Sequence, residues 1–211
     1  YISNNANIRN GRYKDLADYL NDRELNSSNC RANMNQAIQI SFINPISGEP
    51  VPRVQACGTH YSAHEFQSHT LAGRQQELAF LKSAPEGYYV SVKNCIHGDG
   101  SSAAYVNNWA LDTLQVSNDN SLYHYLRDSI GFNRIEEING PQVFCLFYKK
   151  NDNNYPVIQE VAQTTTEFIS LEADIITHLD TGSVTSTMIG KAKQWEHFYW
   201  NTSAYDTLHA N

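Results

Sequence analysis

Basic residues are scarce in this sequence, and they are spread along it. Fifteen lysines and arginines face 22 aspartates and glutamates, so the formal net charge is −7. Lys149 and Lys150 form the one adjacent basic pair. Nucleic-acid binding needs a basic face that contacts phosphates. The composition therefore argues against a nucleic-acid partner.

Long apolar runs and the common cofactor motifs are missing as well. The sequence has no apolar stretch long enough for a membrane span. It has no P-loop, no GxGxxG and no HExxH motif, no GxSxG elbow and no CxxC pair. His64 and His69 come closest to a metal motif, but their spacing would put them about 140° apart around a helix. We therefore expect no metal and no organic cofactor.

The sequence does contain cysteines and enough apolar residues for a core. Hydrophobic residues make up 41% of the chain and aromatic residues 11%, which is typical of a folded domain. The cysteines are Cys30, Cys57, Cys95 and Cys145. An even number permits disulfides in an exported chain, here in any of three pairings. Since the chain begins with Tyr1 rather than Met, we expect a secreted protein that is processed or excised from a longer one.

Hydrophobic periodicity predicts helices early in the chain. Apolar residues recur at helical spacing over 12–25, over 27–38 behind a Ser27 or Ser28 cap, and over 63–83. A shorter helix is predicted over 121–130, with Gly131 beyond its end.

Strands are predicted mainly in the second half of the chain. Runs of β-branched and aromatic residues predict strands over 88–92, 103–106, 109–114 and 141–150, with further strand-like stretches after 155. Both faces of 141–150 are apolar, which indicates a central strand. This order favours an α+β fold in which N-terminal helices pack on a mainly antiparallel sheet. We expect one domain over 1–211, with a core over 27–150 and a β-rich C-terminal extension over 151–211.

Cys30 is the candidate nucleophile. It follows the predicted helix cap, where free N–H groups and the helix dipole favour the reactive thiolate. A thiol nucleophile needs an imidazole base, and the base needs an orienting acid or amide. His97 and Asp112, fifteen residues apart, offer both.

This order of residues resembles the papain-like thiol enzymes of bacterial effectors and toxins, over residues 27–150. Those enzymes include host-directed proteases, glutamine deamidases and peptidoglycan amidases. The resemblance implies a papain-like core and hydrolysis of an amide in a protein substrate, with Cys30 as nucleophile, His97 as base and Asp112 as orienting acid. In that group the histidine usually opens a strand, whereas His97 is followed by a glycine-rich turn. His60 or His64 therefore stays open as the base.

A second thiol interpretation uses Cys95. Its place at the end of a predicted strand is similar to the core of glutamine deamidases of the cytotoxic-necrotizing-factor type. That group has a histidine on the next strand, where this sequence has Asn107 and Asn108.

Two other functional classes, and a structural role, stay open. Gln194 and Glu196 match the QxE pair of ADP-ribosyltransferases, although the N-terminal strand arginine of that group has no counterpart in a predicted strand. Low charge with many asparagines, tyrosines and tryptophans also suits an exported carbohydrate- or protein-binding domain without catalysis. Cys30 could equally be a buried or disulfide-bonded residue, and His97 a turn residue. The oligomeric state is not predicted.

Overall fold

A five-stranded antiparallel sheet organises the part of the chain that the structure describes. The structure is a computed structural model, and it describes residues 2–5, 17–20, 23–24, 36–54, 60–61, 63–96 and 105–176. All of these residues belong to one compact unit, Tyr1–His178. The single-domain prediction for 1–211 stays a prediction, because residues 177–211 lie outside the described ranges.

Eleven strands occur in the described residues. In chain order they are β1 (Ile2–Asn5), β2 (Ala17–Leu20), β3 (Arg23–Glu24), β4 (Gln36–Ile43), β5 (Arg53–Val54), β6 (His60–Tyr61), β7 (Ala63–Gln67), β8 (Tyr89–Ile96), β9 (Phe144–Lys149), β10 (Ile158–Val161) and β11 (Phe168–Leu171). The main sheet has the order β10-β9-β8-β4-β7, and a smaller sheet has the order β11-β1-β2-β3. β5 pairs only with β6 among the described strands. Every described strand pair is antiparallel.

The helices lie in the two connections on either side of β8. α1 (Leu71–Lys82) joins β7 to β8. The connection from β8 to β9 contains α2 (Val106–Trp109), the 3-10 helices Ala110–Leu114, Asn118–Asn120 and Asn133–Glu137, and α3 (Leu122–His124), which continues as a π-helical segment, Tyr125–Ile130. Gly131 follows that segment with φ 90°, a left-handed conformation that glycine adopts without strain.

The main sheet is buried on both faces, as the pattern of β9 shows. Phe144 and Leu146 point into a large cluster shared with α1, α2 and α3, whereas Cys145 and Phe147 point into a second cluster on the opposite face. Ile169 and Leu171 of β11 belong to that second cluster. The helices therefore cover one face of the sheet, and β11 of the smaller sheet packs on the other.

The α+β class and the central strand are confirmed. β9 lies between β8 and β10, as the apolar pattern over 141–150 predicted. The predicted helix over 121–130 is also found. The predicted helix over 63–83 is found only from Leu71 onward, as α1, and is wrong over Ala63–Gln67, which form β7. The main sheet continues past the predicted boundary at 150, because β10 pairs with β9.

The predicted N-terminal helices are wrong wherever the structure describes them. Ala17–Leu20 and Arg23–Glu24 are strands, and β4 occupies Gln36–Ile43, so any helix behind the Ser27 or Ser28 cap ends before Gln36. The apolar stretches there are short, and periodicity alone separates helix from strand poorly over such lengths. Their hydrogen bonds also go to distant partners: β2 pairs with β1, which in turn pairs with β11.

The predicted hairpin over 103–114 is also wrong in its described part. Residues 106–114 form α2 and a 3-10 helix instead of two strands. Val106 and Trp109 are both fully buried, a spacing of three that suits a helical turn. Asn107 and Asn108 lie within α2 and not in a tight turn.

Candidate functional site

Three strand ends meet at one end of the main sheet. Gln36, the first residue of β4, is the register partner of Ile96, the last residue of β8. On the other side of β4, Ala37 pairs with Gln67, the last residue of β7. The start of β4 and the ends of β7 and β8 therefore lie side by side. We call this the Gln36 end of the sheet.

Two of the three predicted catalytic residues flank this end in the sequence. Cys30 precedes Gln36 by six residues, and His97 directly follows Ile96. Both lie outside the described residues, so their separation and orientation stay predictions. The described strands require that the chain enters β4 and leaves β8 at the same end of the sheet.

Asp112 is described, and it forms a buried ion pair with Arg74 of α1. Arg74 Nε donates to Asp112 Oδ2 at 2.6 Å, and Arg74 Nη2 donates to Oδ1 at 2.5 Å. Arg74 Nη1 donates to the carbonyl of Ser68 at 2.6 Å. Because Ser68 follows the last residue of β7, this pair holds Asp112 near the Gln36 end. A carboxylate has about four acceptor sites, so the two bonds from Arg74 leave capacity for an imidazole N–H.

Arg74 reaches this position because α1 begins very close to the end of β7. Thr70 caps the helix, and its Oγ1 accepts a hydrogen bond from the Gly73 N–H at 3.1 Å. A Cβ added at Gly73 would lie 1.8 Å from the carbonyl oxygen of Gln67. Only glycine permits this approach, which places Arg74 beside the Ser68 carbonyl.

Glu77 and Trp109 add polar atoms to the same neighbourhood. Glu77 lies one turn after Arg74 on α1 and is fully buried, and within the described residues neither of its carboxyl oxygens has a hydrogen-bond partner. Burial raises the pKa of Glu77 well above its ordinary value, against a smaller opposing effect of Arg74. Trp109, three residues before Asp112, has a buried indole N–H that likewise lacks a partner in the described part.

Sequence reasoning missed Arg74 and Glu77, although a signal was present. Positions 74, 77, 78 and 81 have the helical spacing of one face, and Leu78 and Leu81 are buried. Two charged residues therefore occupy the face of α1 that its leucines mark as buried. Charged residues are almost never fully buried without a partner, so such a pattern indicates an ion pair or a functional group.

His64, the alternative base, lies away from Asp112. Its ring packs on Phe80 with the centroids 4.3 Å apart. Phe80 is six residues after Arg74 on α1, about 9 Å along the helix axis at the usual rise. The described geometry thus favours a base other than His64 as the partner of Asp112. The side chain of His60, the other alternative, lies outside the described residues.

The Cys95 interpretation requires a second strand at Asn107 and Asn108, and the structure has a helix there. Cys95 pairs with Ala37 through the backbone of β8, but its side chain lies outside the described residues. Asn107 and Asn108, expected on a following strand, lie on α2. Cys145 is fully buried, and Cys57 falls outside the described ranges.

A row of polar side chains, two of them buried, crosses the sheet close to the same end. Gln39 of β4 pairs with Glu65 of β7 and with Lys93 of β8. The Gln39 amide donates to Glu65 Oε1 at 3.2 Å, and Lys93 is fully buried. A buried lysine is uncommon outside paired or functional positions. This row lies on the face of the sheet opposite the helices.

A second candidate site lies at the opposite end of the sheet, around the loop after β9. Two cavities of about 280 and 300 Å³ share Lys149, Asp152 and Tyr155 as lining residues. The first is also lined by Ser129, Tyr148, Asn151 and Asn153, and the second by Pro45, Ile46, Asn154 and Ile176. We call this pair of cavities the Tyr155 cleft.

Internal bonds hold the loop of the Tyr155 cleft in place. Lys149 Nζ pairs with Asp152 Oδ2 at 2.8 Å and lies 5.5 Å from the ring centroid of Tyr89. Asp152 Oδ1 accepts the backbone N–H of Asn154 at 3.0 Å, and Tyr155 donates to the carbonyl of Asp174 at 2.7 Å. The ion pair compensates the charges of the cleft, which leaves amides and hydroxyls as its polar groups.

The remaining predicted positions, Gln194 and Glu196, lie outside the described residues. Across the described ranges no cluster of three histidine, cysteine, aspartate or glutamate side chains is arranged to hold a metal ion. No helix in those ranges is both long and apolar enough to cross a membrane.

No protein-family model matches the chain, and the comparison with curated proteins found no relative. The two candidate sites therefore depend on geometry and residue chemistry.

Proposed function

We propose that this chain is a secreted, effector-like thiol enzyme that hydrolyses an amide in a protein substrate. Cys30 is the nucleophile, His97 the base and Asp112 the orienting acid, in a papain-like arrangement. The reaction is glutamine deamidation or peptide-bond cleavage. The convergence of β4, β7 and β8 at the Gln36 end is the observation that supports this proposal.

The proposal draws on three separate segments for its triad. The segment that carries Cys30 enters β4 at Gln36, and the segment that carries His97 leaves β8 at Ile96, the register partner of Gln36. The third segment carries Asp112, which Arg74 ties to the turn after β7. Antiparallel pairing places the start of β4 and the ends of β7 and β8 side by side, which supports a triad drawn from the three segments attached to them.

The chemistry needs no redox partner and no cofactor. His97 accepts the thiol proton, and the Cys30 sulfur attacks the amide carbon. The tetrahedral intermediate collapses to a thioester as the nitrogen leaves with a proton from His97. Water, deprotonated by His97, then attacks the thioester and releases a carboxylic acid and the free thiol.

Thiol labelling of the native chain tests the proposal. Iodoacetamide near pH 6, followed by peptide mass mapping, should label Cys30 first, since a stabilised thiolate reacts at a pH where ordinary thiols do not. His97→Ala should slow this labelling, and buried Cys145 should label only after unfolding. A Cys30 that is disulfide-bonded, or inert until unfolding, overturns the proposal. Fastest labelling at Cys95 would move the nucleophile to β8.

A second candidate function is carbohydrate binding at the Tyr155 cleft. The two adjoining cavities offer side-chain amides, a tyrosine and a charge-compensated ion pair, the groups that bond sugar hydroxyls and pack on sugar rings. Excess positive charge, which a phosphorylated ligand would need, is lacking because Asp152 neutralises Lys149.

A glycan array with the full chain tests this second function. The Asn153→Ala and Tyr155→Ala variants should lose retention on any glycan that the wild type binds. Asn107→Ala removes an exposed amide on α2, outside the cleft, and should retain binding. Absence of retention across the array, or equal loss in the Asn107 variant, would contradict a binding role for the cleft.

A further inference from the structure

Arg74 pairs with the buried carboxylate of Asp112 and shares its face of α1 with a second buried carboxyl group, that of Glu77. The hydrogen bonds of Arg74 to described residues include two to Asp112 and one to the carbonyl of Ser68. Glu77, three residues later on the same helix, projects from the same face as Arg74. Arg74 is 6% exposed, Asp112 4% and Glu77 0%. One buried cation therefore faces two buried acids.

The charge of this cluster depends on Glu77. If all three groups were ionised, the cluster would carry one uncompensated negative charge in the core. An ionised carboxyl without hydrogen-bond donors is very costly to bury, and neither oxygen of Glu77 has a partner among the described residues. A neutral Glu77 brings the cluster to zero net charge.

Within the described residues, other charged groups around α1 do not provide the missing compensation. The titratable or charged residues on the described segments that contact α1, and at its own end, include His64, Glu65, Lys82, Asp119, Tyr123, His124, Tyr125 and Asp112. None of them acts on the pKa of Glu77; burial and Arg74 do. Glu77 is thus electrostatically linked to Arg74 and, through it, to Asp112.

We propose that Arg74 keeps both of its hydrogen bonds to Asp112 as long as Glu77 is protonated. When Glu77 loses this proton, its carboxylate competes with Asp112 for Arg74, and Asp112 is held less firmly in place. Glu77 would then be a positioning residue, and not a catalytic one. The consequence for catalysis rests on the proposed thiol function. The linkage of Glu77, Arg74 and Asp112 can be tested without it.

Carboxyl NMR of the full chain, labelled with ¹³C at glutamate side chains, tests the first half of the proposal. The signal that disappears in Glu77→Gln is the signal of Glu77. The matched control is Glu86→Gln, which removes an exposed carboxyl group on the loop before β8. The Glu77 signal should stay in its protonated position at pH values well above 4.5. A carboxyl that titrates near the ordinary value of 4.5 overturns the proposal.

Hydrogen exchange tests the second half. After correction for intrinsic rates, protection of residues 105–116 in the wild type should fall by at least about tenfold as Glu77 ionises. In Glu77→Gln this fall should vanish, because the amide carries no charge at any pH. Protection that changes equally in both proteins overturns the linkage. If Glu77→Gln does not fold, the proposal still requires that hydrogen exchange of residues 105–116 in the wild type changes over the same pH range as the Glu77 carboxyl signal.

The two proposals can fail separately. A Cys30 that never labels rapidly, together with a protonated Glu77 and pH-dependent exchange, removes the thiol function and leaves the Glu77 linkage. Rapid labelling of Cys30, together with a Glu77 that titrates near 4.5, supports the thiol function and removes the Glu77 linkage. If both hold, the labelling rate of Cys30 should fall as Glu77 ionises, and this fall should be absent in Glu77→Gln.

Discussion

Arg74 donates to both carboxylate oxygens of Asp112, at 2.6 and 2.5 Å, and the two residues are 38 positions apart in the sequence. The pair joins α1 to the 3-10 helix Ala110–Leu114 in the interior of the domain. Bidentate arginine–carboxylate pairs are among the stronger and more directional polar contacts in proteins. We therefore expect the position of Asp112 to depend on its ion pair with Arg74 more than on any other contact.

Breaking this pair on one side should strongly destabilise the fold. Arg74→Gln leaves the Asp112 carboxylate buried without its cation, which typically costs about 3–5 kcal/mol. Urea unfolding of the wild type, Arg74→Gln, Asp112→Asn and the double variant gives a double-mutant cycle. We expect a coupling free energy above about 1.5 kcal/mol. Arg127→Gln, which breaks a solvent-exposed pair with Asp128, should have a much smaller effect. Additive single effects at Arg74 and Asp112 would show that they do not act as a pair.

Gly73→Ala should destabilise the protein although alanine is the better helix former. The exchange would gain about 1 kcal/mol from helix propensity alone. The new Cβ, however, would collide with the carbonyl oxygen of Gln67, 1.8 Å away, and α1 would have to move. We expect a net loss of about 1–3 kcal/mol, the usual range for overpacking, in urea or thermal unfolding. Gln76→Ala, exposed on the same helix, should be neutral or slightly stabilising; a stabilised Gly73→Ala would mean that α1 can shift freely.

Strands β8 and β9 of the main sheet and helix α1 were predictable from local pattern, whereas β7 and the start of β4 fell within predicted helices. Apolar residues on both faces of β9 indicate a central strand because a strand buried on both faces has no polar side. Leu78 and Leu81, a helical spacing apart, likewise indicate the helix that covers the sheet. In both cases the local preference and the tertiary environment agree.

The N-terminal strands and the segment 106–114 were not predictable in this way. β1 pairs with β11, more than 160 residues away, and no local pattern reports such a partner. The residues of Val106–Leu114 are compatible with either a helix or a strand. Burial of Val106 and Trp109 against the other helices favours the helix. Tertiary contacts override propensity in such short segments.

The candidate site was predictable only as a set of residue types. Asp112 was chosen for its distance from His97 in sequence, yet its observed partner is Arg74 of α1. That ion pair depends on the close approach at Gly73, which is a three-dimensional feature. The same holds for the Gln36 end, because the register of β4 with β7 and β8 is not visible in the sequence.

Stability should depend on pH through Glu77. Below the ordinary glutamate value of 4.5, both the folded and the unfolded chain hold the proton. Above it the unfolded chain releases the proton while folded Glu77 keeps it, so ionisation favours the unfolded state. The free energy of unfolding of the wild type should therefore fall relative to that of Glu77→Gln as the pH rises from about 4.5, by up to about 1.4 kcal/mol per pH unit. The difference should level off above the raised pKa of folded Glu77.

Urea unfolding of both proteins at several pH values between 4 and 8 measures this difference. The quantity to compare is the gap between wild type and variant, since other groups contribute to the pH dependence of each protein alone. A gap that stays constant over this range would mean that Glu77 ionises alike in the folded and unfolded chains.

Two neighbouring tyrosines should respond in opposite ways to loss of their hydroxyls. Tyr148 is buried and its hydroxyl lacks a partner within the described residues; burial raises its pKa strongly. Tyr125 accepts a hydrogen bond from the buried Lys150 ammonium at 2.8 Å. Tyr148→Phe removes a desolvated group without breaking a bond and should be neutral or stabilising, whereas Tyr125→Phe should cost about 1–3 kcal/mol because the ammonium loses an acceptor. Thermal unfolding of the two variants, which remove the same atom from the same core, distinguishes the cases. A Tyr148→Phe loss as large as that of Tyr125→Phe would indicate that the Tyr148 hydroxyl binds a buried water.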